Sequence, residues 1–105
     1  MKDKDSGISS EGGRLVVKKD LGFGQILKLE GALAPLVNDE SEEVVIDLSK
    51  VRHLCSSNLA VIASACNIVD RRGKKIKLKA VPSVVKILKL GGIERIASIE
   101  EVNES

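Results

Sequence analysis

The residues of this chain that could do chemistry gather in one stretch, His53-Leu54-Cys55-Ser56-Ser57-Asn58. It lies between an apolar segment ending in Asp47-Leu48-Ser49 and a run of helical character. A serine or cysteine nucleophile with His53 as its base would sit within one short loop, with no group in view to orient the imidazole. The chain is therefore not expected to be an enzyme. His53 is the single histidine and no glycine-rich phosphate loop occurs, so neither a metal centre nor a cofactor is expected. The remaining chemistry is that of phosphate. A serine at a helix mouth sits where unpaired backbone N–H groups and the positive end of the helix dipole favour an anion. From the residues alone, Ser56 or Ser57 reads as the helix N-cap, a role compatible with accepting a phosphate.

The two cysteines, Cys55 and Cys66, are eleven positions apart. On one helix that is a separation of about 16 Å, well beyond the ~7 Å between Cα atoms that a disulfide spans. Two free thiols result. Cys66 shares its helical phase with Leu59 and Ile62 and is expected in the core, and Cys55 is expected to be a partly buried loop residue.

The elements that must hold this loop follow from periodicity. Val44-Val45-Ile46-Asp47-Leu48 is nearly continuous in apolar character, as in a central strand covered on both faces. Asp47 is placed to orient the loop behind it. Leu59, Ile62, Cys66 and Val69 recur at helical spacing over residues 57–71, and Gly73 follows as a left-handed cap. Lys75-Ile76-Lys77-Leu78-Lys79-Ala80 alternates as a strand with one wet face. Pro82 and Ser83 open a helix that Gly91-Gly92 stops. Ile93 and Ile96 should pack back on the core, and residues 99–102 should add an edge strand. Upstream, residues 15–19 and 25–30 read as a β-hairpin around Asp20-Leu21-Gly22-Phe23-Gly24. Pro35 limits any helix before the acidic connector 38–43 to a short one. Residues 1–13 read as a disordered tail, residues 14–102 as the domain and residues 103–105 as a frayed end. The expected order is β-β-(short α)-β-α-β-α-β, an α/β fold whose mixed sheet carries its helices on one face.

Composition narrows the function. The 105 residues are 43% hydrophobic with one aromatic side chain and a net charge of +2. A basic face with stacking platforms is missing, so no nucleic-acid partner is expected. No apolar run approaches the ~20 residues that cross a bilayer and the first residues lack the centre of a signal peptide, so a cytoplasmic protein without direct membrane insertion is expected.

This pattern resembles the STAS family over residues 14–102. The matching signals are Leu29-Glu30-Gly31, Ile46-Asp47-Leu48, Ser56-Ser57 at a helix start, and Leu90-Gly91-Gly92-Ile93. In STAS anti-sigma factor antagonists the loop reads Asp-Ser-Ser/Thr-Gly, and its first Ser or Thr is phosphorylated by a kinase that doubles as the anti-sigma factor. By position the resemblance implies Ser56 as phosphoacceptor. Cys55 stands in place of the acid and Asn58 in place of the glycine. A carboxylate ~6 Å from a doubly charged phosphate would repel it by ~1.4 kcal/mol in water-like surroundings, so losing the acid alters recognition rather than phosphate retention.

The resemblance implies a regulatory binding module with a serine kinase/anti-sigma factor and a phosphatase as partners. Cys55, Ser57 and Asn58 would lie at the contact, with Val61 and Ile68, one heptad apart, as an apolar ridge that either docks the partner or packs under the hairpin or residues 32–37. The alternative is a non-phosphorylated accessory or scaffold subunit, for example beside the permease or ATPase of a bacterial lipid-transport ABC complex or in a signalling particle.

Overall fold

In the computed structural model, which describes residues 7–103, the chain runs β1 (Ile8–Glu11), β2 (Arg14–Val17), α1 (Ile26–Asn38), β3 (Glu43–Leu48), α2 (Ser56–Arg71), β4 (Lys75–Ala80), α3 (Pro82–Leu90) and β5 (Ser98–Glu101). Short 3₁₀ turns occupy Phe23–Gln25 and Ile93–Arg95. The five strands form one sheet in the order β1-β2-β3-β4-β5. The β1–β2 pair is antiparallel and every later pair is parallel. The parallel strands advance in one direction across the sheet, and right-handed crossovers then place α1, α2 and α3 on the same face.

Side-chain burial agrees with that placement. Leu15, Val17, Val44, Ile46, Leu48, Ile76, Leu78 and Ala80 point under the helices and are buried. Lys75, Lys77 and Lys79 fall on the other, open face, as their alternation requires. β3 corrects one expectation. It is covered on one side only, because Val45 and Asp47 are half-buried among charged neighbours on the open face. Buried Leu29, Leu33, Leu36 and Val37 of α1, Ile62, Cys66 and Val69 of α2, and Val84 and Leu88 of α3 complete the core, together with Ile93.

The N-terminal third departs most from expectation. Residues 7–13, expected as tail, form β1 and its turn; residues 1–6 lie outside the described residues, as do 104 and 105. Gly12-Gly13 joins β1 to β2 as a two-residue hairpin turn, with φ +61° at Gly12, and a Cβ on Gly13 would come within 2.9 Å of the Glu43 carbonyl oxygen. The expected hairpin over residues 15–30 does not form. Its second strand is the start of α1, whose core face repeats Leu29, Leu33, Leu36 and Val37 at helical spacing. Leu27, which gave this segment its strand-like alternation, is 80% exposed. Nor does Pro35 shorten α1, which runs 13 residues. Pro35 and Gly31 are both exposed, so the carbonyl that loses its i+4 donor faces water rather than the core. At the other end of the domain Arg72 Nη1 donates to Val37 O and Asn38 Oδ1, both at 3.0 Å, tying the end of α2 to the end of α1.

Candidate functional site

Each turn between β3 and α2 has an identifiable anchor. Asp47 Oδ1 accepts the Ser49 N–H at 2.9 Å, which bends the chain out of the sheet. The Val51 N–H then bonds Leu48 O at 2.9 Å and the Val51 side chain is buried. Burial acts to raise the Asp47 pKa, but hydrogen bonds from Ser49 and the charges of Arg14 and Lys79 outweigh it and hold the carboxyl below the usual range. Asp20, in the β2–α1 connection, reaches the loop from another part of the chain. Its Oδ1 accepts the backbone N–H of Arg52 at 2.7 Å and of His53 at 3.2 Å. The Ser83 hydroxyl at the start of α3 donates to Arg52 O at 3.4 Å.

α2 begins one residue earlier than its periodicity indicates. Cys55 is the N-cap, extended at φ −78° and ψ 162°, and its carbonyl accepts the Leu59 N–H at 2.9 Å. Its thiol makes no capping bond. The expected serine cap is therefore not formed, and Ser56, Ser57 and Asn58 are the first three helical residues. Among the described residues their N–H groups meet no acceptor, and the first turn holds no acidic side chain. Ser56 is exposed and Ser57 and Cys55 are half-buried.

Asn58 does not stand where a partner could touch it. It is 0% exposed, its Nδ2 donates to Leu21 O at 2.9 Å, and its Oδ1 has no hydrogen-bond partner among the described residues. Its expected contact role is thereby corrected to an internal one. Val61 and Ile68 do lie together, on an open groove of about 280 Å³ between α1 and α2 that Leu33, Ala34 and Val37 line from the α1 side. Val61 is half-buried against the core and Ile68 is 41% exposed. Cys66 is buried, and burial pushes its thiol up to about 12, which makes it a core side chain rather than a nucleophile. Both cysteines are free thiols. Among the described residues no cluster of His, Cys, Asp or Glu could hold a metal ion, and no helix is long and apolar enough to cross a membrane.

Residues 6–100 match the family model described as Mlab, STAS domain. The chain belongs to the STAS domain family. Its fold is that of solved anti-sigma factor antagonists. A candidate member from Thermotoga maritima superposes with a TM-score of 0.72 at 18% identity, over 90% of this chain and 85% of that one. An anti-sigma factor antagonist from Mycobacterium paratuberculosis gives 0.71 at 22% identity, over 90% and 83%. No match was found among curated protein sequences. Within this STAS domain Ile46-Asp47-Leu48 closes β3, Ser56-Ser57 opens α2 and Leu90-Gly91-Gly92-Ile93 ends α3 and leads out of it, as the resemblance requires. Leu29-Glu30-Gly31 is misplaced by that reading, because it lies inside α1 rather than after a strand.

Sequence reasoning missed Asp20. An acid after two lysines carries no local signal, and its partners are 32 and 33 positions away.

Proposed function

We propose that this STAS domain is an anti-sigma factor antagonist-like regulatory module switched by phosphorylation of Ser56. The carrying observation is the exposed Ser56 hydroxyl on the first helical residue of α2, beside N–H groups that have no acceptor among the described residues. The unphosphorylated loop and α2 dock on a serine kinase that is also an anti-sigma factor, and a phosphatase restores the hydroxyl. A phosphate adds a charge of about −1.5 to −2 at neutral pH. The helix terminus tolerates that charge within the domain, while a partner surface shaped for a neutral hydroxyl does not. The half-buried Cys55 and Ser57 border the contact, and the groove at Val61 and Ile68 accepts an apolar part of the partner. On this reading the module works by binding, in the cytoplasm.

The test is incubation with the cognate kinase and ATP, followed by mapping of the modified residue by mass spectrometry. One phosphate on Ser56, absent from Ser56→Ala, is expected. Modification that persists in Ser56→Ala overturns the reading. A second reading, a non-phosphorylated accessory or scaffold subunit such as that of a lipid-transport complex, draws support from Cys55 and Asn58. The first supplies no carboxylate at the N-cap and the second is buried, so the surface a kinase would meet differs from the Asp-Ser-Ser/Thr-Gly pattern. Co-purification with a permease or ATPase and no phosphate on Ser56 would favour it.

A further inference from the structure

We propose that Asp20 and Asn58 are positioning residues that act as one clamp, through the Asp20-Leu21 connector, to preset the loop presenting Ser56. Two adjacent residues of the β2–α1 connection hold both ends of the segment. Asp20 Oδ1 takes the N–H groups of Arg52 and His53, ahead of the helix. The carbonyl of Leu21, whose side chain is buried, takes the Asn58 amide from the first turn of α2. Cys55, Ser56 and Ser57 lie between these two grips. Their geometry is thereby referred to a connector more than thirty residues away rather than to their own side chains, none of which caps the helix. A charged acceptor makes the first grip the stronger of the two.

The second grip has a cost built into it. Asn58 Oδ1 is buried with no donor among the described residues, so desolvation of that oxygen offsets much of what the Nδ2 bond contributes to folding. A glycine at position 58 could not make this bond at all, so the clamp belongs to this chain's own loop. The inference deepens the Ser56 reading, and its test uses no kinase, so the two fail separately.

The test measures backbone amide exchange by NMR and the rate at which iodoacetamide modifies Cys55, mapped by mass spectrometry, in the full chain and in Asn58→Ala, Asp20→Ala and Asp20→Asn. Asn58→Ala is expected to speed exchange at Arg52 and His53 at least five-fold, although neither amide touches Asn58, and to speed Cys55 modification several-fold. The thermal midpoint should move little. Asp20→Ala should speed Cys55 modification similarly, and Asp20→Asn, which keeps an acceptor oxygen of the same shape, should restore most of the protection. The double variant Asp20→Ala/Asn58→Ala should be no faster than the faster single one, because both grips act through one connector. Unchanged Arg52 and His53 exchange in a folded Asn58→Ala, or independent multiplication of the two effects in the double variant, overturns the clamp. Should Asn58→Ala not fold, an Asp20→Ala whose Cys55 rate stays at the parent value overturns it equally.

Discussion

Arg14 Nη2 lies 3.1 Å from Asp47 Oδ2, joining β2 to β3 across the open face of the sheet. Asp47 is 14% exposed and Arg14 49%, so the carboxylate is the sheltered member of the pair. Its other oxygen holds the Ser49 N–H and with it the first bend of the Ser56 loop. One side chain therefore serves strand pairing and loop exit together.

The acid stability of the domain should report this arrangement. The folded-state pKa of Asp47 is lowered from the 3.8 of the free group, so its contribution is present above about pH 4 and is lost as the pH falls through the folded value. Because Arg14 is half in water, the ion pair adds little and the Ser49 bond carries most of the effect, together about 1 kcal/mol. Asp47→Ala, which removes both acceptor oxygens, should be less stable than the parent at pH 7 by that amount. The gap should narrow below pH 4 in urea titrations, and a gap that stays constant to pH 2 would show that Asp47 is not the titrating group.

Cys55 is an N-cap without a capping bond, and restoring an acid there should stabilise α2. Cys55→Asp offers a carboxylate to the open N–H of Ser57 or Asn58 and complements the positive helix end. The expected gain is about 0.5–1 kcal/mol at neutral pH, fading as the new carboxyl is protonated. A pH series of thermal midpoints checks it, and a loss of stability at pH 7 would mean that the N-cap geometry does not admit the bond.

The later elements were legible because sequence and packing agree in them. Lys75 to Ala80 alternates in sequence as it does in burial, and the spacing of Ile62, Cys66 and Val69 is that of the α2 core face. The early elements were not, for reasons that can be named. β1 buries a single apolar side chain, Ile8, and is held by backbone pairing that leaves no hydrophobic pattern, although Gly12-Gly13 is a hairpin signal. The start of α1 was disguised by the exposed Leu27. At the site the position of Ser56 was readable and its support was not, because Asp20 and Asn58 matter through bonds that span 32 to 37 positions.

Pro35 tests why α1 persists through a residue that usually breaks helices. Its missing N–H leaves Gly31 O without the i+4 donor on the exposed side of α1, where water can replace it. Pro35→Ala restores the donor and the better helix former, against some loss of unfolded-state restriction. A net gain of about 1–2 kcal/mol is expected, a rise of roughly 4–15 °C in thermal midpoint for a domain of this size. A fall would mean that the ring makes contacts α1 depends on.

Ile68 and Val61 line the same groove but should respond differently to charge. Ile68 is 41% exposed, so an aspartate there can keep its carboxylate in water, and Ile68→Asp should cost no more than about 0.5–1 kcal/mol. Val61 packs against the core and is half-buried, so Val61→Asp must desolvate a carboxylate without a partner and should cost about 1–3 kcal/mol. Ile68→Asp is therefore the cleaner probe of docking. With the cognate kinase immobilised, it should weaken binding by at least ten-fold while chemical denaturation stays near the parent curve, and Leu90→Asp, remote from this groove at 83% exposure, should bind as the parent does. Equal loss in both variants would point to general surface charge, and parent-like binding by Ile68→Asp would remove the groove from the interface.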